Sequence, residues 1–167
     1  MIEDFRKLYG SAEGLRVFRA PGRVNLIGEH TDYNLGFVCP VALDLATYAA
    51  VAPAADGRLR IYSEHRQEMR EWQASEVGTL QPQHHWTDYS IGVAHELALA
   101  GFAIQPANVL IRSTVPEGFG LSSSAALEVS SALAFLGGRP LESMQLARSR
   151  VAVTVNPRLS QAKTIAC

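Results

Sequence analysis

The sequence predicts an α+β fold, and three features predict it. Strand-like segments come early in the chain, the helix-like runs come late, and the two do not alternate as they would around a parallel sheet. A length of 167 residues, 47% hydrophobic and 19% charged, gives one domain with a core of its own and excludes a disordered chain.

The elements read as follows. Residues 2–9 form a short amphipathic helix with Ile2, Phe5, Leu8 and Tyr9 on one side. Residues 15–20 form a strand, which Pro21-Gly22 breaks. Residues 44–52 and 58–63 form two strands joined by a turn at Ala55-Asp56-Gly57. Gln81 to Thr87 is a polar loop. Residues 88–100 form a helix, with Asp88 as N-cap and Gly101 as its stop. Asn108 to Thr114 alternates as a strand does. Residues 122–136 form the strongest helix, led by serines and ended by Gly137-Gly138. A last helical stretch is expected over 140–149, and a strand over 151–155.

Composition narrows the function. A net charge of −1 gives no general attraction to nucleic acid or to an anionic membrane. No apolar run approaches the ~20 residues of a spanning helix. The opening residues Met1 to Arg6 are charged and carry no signal core. Cys39 and Cys167 are far apart and support neither a disulfide framework nor a cysteine-rich zinc site. These features lead to the expectation of a cytoplasmic protein.

Two segments carry chemistry. The first runs from Val115 to Ala126. Its glycines, Gly118 and Gly120, let the backbone approach a bulky anion without a Cβ in the way. The hydroxyls of Ser122, Ser123 and Ser124 follow, and then a helix whose free N–H groups and dipole favour phosphate. The lysine of the Walker loop is missing, since Lys7 and Lys163 are the only lysines, and so is the dinucleotide fingerprint. The same residues also fit a serine-capped helix after a glycine turn, with no ligand at all.

The second segment is GRVNLIGEHTDYN at 22–34. Glu29, His30 and Asp32 fall within four residues, beside the apolar Val24, Leu26 and Ile27. Carboxylates accept from the vicinal hydroxyls of a sugar, and an imidazole adds one more donor or acceptor. Arg23 lies upstream, with a fork suited to phosphate oxygens. The alternatives are a loop of solvated acids and, more weakly, a metal site of Glu29, His30 and Asp32 without further ligands at known spacing. The remaining histidines, His65, His84, His85 and His95, form no ligand pattern.

Together the two segments resemble the galactokinases of the GHMP kinase superfamily. GRVNLIGEHTDYN matches the opening motif of that family, and PEGFGLSSSAALEV at 116–129 matches its phosphate motif. GFVCPVALD at 36–44 and WTDYSIGV at 86–93 are also similar to the family. The resemblance covers about residues 5–147. It implies the two-layer α+β N-terminal domain of the superfamily, similar to domain 2 of ribosomal protein S5. It implies transfer of the γ-phosphoryl of ATP to the C1 hydroxyl of galactose by a monomeric protein using Mg²⁺. Glu29, His30 and Asp32, with Thr31 inside their motif, would hold the sugar. Arg23 would lie beside the anomeric hydroxyl and stabilise charge during transfer. Gly118, Phe119, Gly120, Leu121, Ser122, Ser123 and Ser124 would wrap the phosphates, Ser124 would reach Mg²⁺, and Ser63 would lie near the nucleotide. Kinases for N-acetylgalactosamine or arabinose, and a non-catalytic sensor of galactose and ATP, are the alternatives. Ser124-Ala125 follows the enzyme form of the motif.

The resemblance stops near Ala147. The family continues with a Gln-x-Ala-Glu segment, whose Glu helps to hold Mg²⁺, and a Cys-Gly-x-Met-Asp-Gln segment, whose Asp is the expected base. Residues 148–167 read RSRVAVTVNPRLSQAKTIAC and contain neither. No acidic residue follows Glu142, while Arg148, Arg150, Arg158 and Lys163 do. The expectation is a family domain over 1–147, a frameshifted or truncated tail over 148–167, and a chain that does not turn over by itself.

Overall fold

The computed structural model of the chain describes residues 1–28 and 37–137. The helix and strand expected over 140–149 and 151–155, and the tail over 148–167, lie outside them.

A five-stranded sheet forms the centre of the fold. Its strands are β1 (Arg16–Ile27), β2 (Cys39–Pro53), β3 (Arg58–Ser63), β4 (Glu68–Gln73) and β5 (Ala107–Ser113). They lie in the order β1-β2-β5-β3-β4. All pairs are antiparallel except β3 with β5, which run parallel. The helices are α1 (Ile2–Tyr9), α2 (Asp88–Leu99) and α3 (Ser123–Leu136), with a 3₁₀ segment over Ala74–Thr79. The sheet and helices make the α+β arrangement expected from the sequence.

The alternation of strand side chains decides which helix covers which face. Ala49 and Val51 of β2, Leu59 and Ile61 of β3, and Val109 and Ile111 of β5 share the main core with the 3₁₀ segment, α2 and α3. The intervening residues Ala50, Ala52 and Leu110 point to the other face, where Phe5, Leu8 and Tyr9 of α1 meet them. Phe5 is fully buried, whereas Ile2, expected on the same stripe, is about half exposed at 54%. The Tyr9 hydroxyl donates to the Val109 carbonyl at 2.9 Å, and burial pushes its pKa above the ordinary tyrosine value. The Arg112 guanidinium joins the Asp4 carboxylate of α1 at 2.9 Å and also holds Glu64 at the end of β3.

Three readings need correction. β1 does not end at Pro21-Gly22; it continues to Ile27. β1 is an edge strand, where a proline without an N–H is tolerated, and the ladder shifts register between Pro21 and Arg23. The strand expected over 44–52 begins earlier, at Cys39. The cap of α2 is Thr87 rather than Asp88. The Asp88 carboxylate instead accepts from the backbone N–H groups of Gln83 and His85, at 2.9 and 3.1 Å, and fixes the loop that enters the helix.

No helix among the described residues is long and apolar enough to cross a membrane.

Candidate functional site

The Gly- and Ser-rich segment leaves the sheet at the end of β5. Thr114 anchors the exit: its N–H donates to the Ala46 carbonyl at 2.9 Å, and its hydroxyl accepts from the Ala46 N–H at 2.9 Å. The Ser113 hydroxyl bonds Thr47 at 2.9 Å and accepts from the Val115 N–H at 3.2 Å. The chain then turns through Gly118 and Gly120, with φ of 82° and 70°, and through Ser122 with φ of 59°. Glycine adopts this left-handed backbone freely; serine does so at a cost, which marks Ser122 as a constrained position. Ser122 is the N-cap of α3, yet its side chain makes no capping bond. The plain serine cap therefore does not account for this serine.

Arg23 meets this loop from β1. Its backbone N–H donates to the Leu121 carbonyl at 3.1 Å. Gly22 makes the approach possible, because a Cβ there would stand 2.9 Å from the Leu121 oxygen and 3.2 Å from a Val115 methyl. The Arg23 Nε is buried with no hydrogen-bond partner. A buried, unpaired guanidinium nitrogen is costly, and an anion beside the loop would satisfy it.

A cavity of about 680 Å³ opens on the same side of the sheet. Gly118, Ser123 and Ser124 line it from the loop, and Ser63 lines it from the end of β3. Ser63 is buried, and its hydroxyl accepts from the Arg66 N–H at 3.3 Å. The structure thus brings together Ser63, Gly118, Ser123 and Ser124. Phe119, Gly120, Leu121 and Ser122 belong to the loop but not to the cavity wall, and Phe119 is 75% exposed. Arg23 does not line the cavity; its backbone meets the loop at Leu121. Glu29, His30, Thr31 and Asp32 lie outside the described residues.

Sequence reasoning missed several wall residues, among them His65, Arg66, Trp86, Tyr89 and Glu117. Trp86 and Tyr89 fall within the family-like WTDYSIGV, which was the available signal. The Trp86 indole N–H donates to Glu68 Oε2 at 3.0 Å, which fixes the ring. That hydrogen bond, with the nearby His85 and Arg70, holds the Glu68 carboxyl below the usual range. Glu128, one turn past Ser124 on α3, was also missed. It is 8% exposed, its Oε1 has no partner, and burial pushes its pKa up to about 7. The signal was an acid within an otherwise apolar and small helix run.

Residues 3–53 match a family described as the galactokinase galactose-binding signature, and residues 88–158 match the GHMP kinases N terminal domain. Galactokinase of Streptomyces coelicolor is 50% identical over 154 residues, covering 87% of this chain and 38% of that protein. Galactokinase of Bacillus subtilis is 44% identical over 128 residues, covering 75% of this chain and 33% of that protein. The chain thus spans 33–38% of the length of these curated relatives. The structure of Lactococcus lactis galactokinase complexed with galactose superposes with a TM-score of 0.77 at 31% identity, over 99% of this chain and 42% of that one. Methanococcus jannaschii mevalonate kinase, at 18% identity and a TM-score of 0.72, shares the fold over 86% of this chain and 47% of that one. The chain belongs to the galactokinase family of the GHMP kinases and corresponds to the N-terminal region of its members.

Proposed function

We propose that this chain supplies the sugar-binding and phosphate-binding region of a galactokinase-type reaction, in which the γ-phosphoryl of ATP passes to the C1 hydroxyl of galactose. The observation that carries this reading is the contact between Arg23 and Leu121, which joins the strand bearing the sugar motif to the phosphate loop.

In this reading the loop from Gly118 to Ser124 surrounds the phosphates with backbone N–H groups and hydroxyls at the N-terminus of α3. Arg23 faces the transferring phosphoryl group, where its guanidinium stabilises the charge spread over the equatorial oxygens. Glu29, His30 and Asp32 hold the sugar hydroxyls and present C1. Trp86 and Tyr89 give the cavity an aromatic wall suited to a base.

A magnesium ion would arrive with the nucleotide and neutralise charge developing on the phosphates. Among the described residues no group of three or more His, Cys, Asp or Glu side chains is placed to hold a metal ion. A cation carried by phosphates needs few protein ligands, and the Ser124 hydroxyl at the cavity wall fits that limited role. We read the protein as monomeric and cytoplasmic.

Saturation-transfer NMR with galactose, N-acetylgalactosamine, arabinose and glucose tests the sugar assignment. Transfer to galactose above the others is expected. Equal signals for all four sugars, or none, would contradict it.

A further inference from the structure

We propose that Arg66 binds the phosphate chain of the nucleotide, and that Glu117 occupies it in the free protein. The inference rests on the nucleotide reading of the cavity and adds a residue to it.

Arg66 sits in the turn between β3 and β4 and reaches the phosphate loop, where its Nη2 bonds Glu117 Oε2 at 2.7 Å. The two residues are 51 positions apart in sequence and line the same cavity, beside Gly118, Ser123 and Ser124. Among the described residues that line it, Arg66 is the only Lys or Arg and Glu117 the only carboxylate. A cavity built around a helix N-terminus thus holds a guanidinium opposite the loop, and that guanidinium is neutralised by a neighbouring acid.

The turn that carries Arg66 is held in place. The Arg66 N–H donates to the Ser63 hydroxyl, the Tyr62 hydroxyl donates to Gln67 Oε1 at 3.0 Å, and the Gln67 amide donates to the Glu64 carbonyl. Gln67 itself has a φ of 52°, in the left-handed region. The backbone under Arg66 is therefore fixed, while its side chain is 41% exposed and that of Glu117 62%. An ion pair this exposed is weak and readily exchanged. A phosphate offers the fork several charged oxygens at once, which makes it the stronger partner. When a nucleotide enters, Arg66 turns from Glu117 to the phosphates, and the loop loses its link to the β3–β4 turn.

The test is calorimetric titration of the 167-residue chain with ADP and, separately, with adenosine. Arg66→Ala should weaken ADP binding about tenfold and leave adenosine binding unchanged. Glu117→Gln removes the competing carboxylate and should tighten ADP binding about threefold. Both positions are exposed, so the variants should fold, and circular dichroism checks this. ADP binding that stays within twofold in Arg66→Ala overturns the proposal, as does an equal loss of adenosine and ADP affinity. Failure of the unaltered chain to bind ADP overturns the nucleotide reading together with it, and so is distinguishable from failure of Arg66 alone.

Discussion

The backbone N–H of Arg23 is bonded to the carbonyl of Leu121 at 3.1 Å, so the two segments to which we assign the sugar and the phosphates share one hydrogen bond. The two motifs lie almost a hundred positions apart in sequence, and this contact puts the phosphate loop directly beside the strand that leads into the sugar motif. Phosphoryl transfer depends on such positioning more than on covalent chemistry.

Gly22 is where this contact is most exposed to mutation. In Gly22→Ala the new methyl group would press on the Leu121 carbonyl, a backbone atom that cannot swing aside. A loss of about 1–3 kcal/mol in stability is expected, read from the denaturant midpoint. ADP affinity should fall in the same variant because the loop is displaced. An unchanged midpoint with unchanged ADP affinity would show that the strand and the loop are not packed as described.

Ser124→Ala tests the metal role of that hydroxyl. The variant should weaken ADP binding in the presence of magnesium by about tenfold, since a lost ligand to the ion is a lost charge-assisted contact. In the presence of a chelator its ADP affinity should match that of the unaltered chain. Equal losses with and without magnesium would assign Ser124 to the phosphates instead.

Glu128 gives the fold a pH dependence. Its carboxyl binds a proton more tightly folded than unfolded, with a pKa raised from 4.5 to about 7 by burial. Below the unfolded value both states are protonated and burial carries no charge penalty. As pH rises from 4.5 to 7 the folded state is progressively penalised, and above 7 the penalty is complete, on the order of 3 kcal/mol. Melting temperatures measured from pH 5 to 8 should therefore fall more steeply for the unaltered chain than for Glu128→Gln. Parallel curves would mean that the carboxyl is solvated or paired.

The sequence was most legible where period and turn chemistry agree. β3 begins and ends as predicted, because RLRIYS alternates cleanly and follows an Asp-Gly turn. α3 was legible from its serines and its glycine stop. β4 was not predicted, because EMREWQ is dense in charge. It is an edge strand, and Glu71 pairs across the ladder with Arg58 and Arg60, so its charges serve the edge rather than mark a loop. The loop ahead of α3 could be singled out because its glycines and serines are contiguous. Arg66 and Glu117 could not, since only the sheet order β5-β3-β4 brings the β3–β4 turn to the loop.

The galactose contacts assigned to Asp32 lead to a direct expectation. Asp32→Ala removes an acceptor from a vicinal diol, and leaving those hydroxyls unpaired costs about 1–3 kcal/mol. Galactose affinity should fall about 5- to 150-fold, with ADP affinity unchanged. A variant that binds galactose as tightly as the unaltered chain would remove Asp32 from the sugar site.

We propose that the strand ending in the sugar motif and the loop leading into α3 form one site with room for both ligands. Calorimetric titration of the chain with galactose, alone and with saturating magnesium ADP, tests it most directly. One galactose and one ADP per chain, bound at the same time, are expected. Gly22→Ala, which disturbs the Arg23–Leu121 contact, should weaken both. Mutually exclusive binding, or no binding of either ligand by a chain whose circular dichroism shows it folded, would contradict the account.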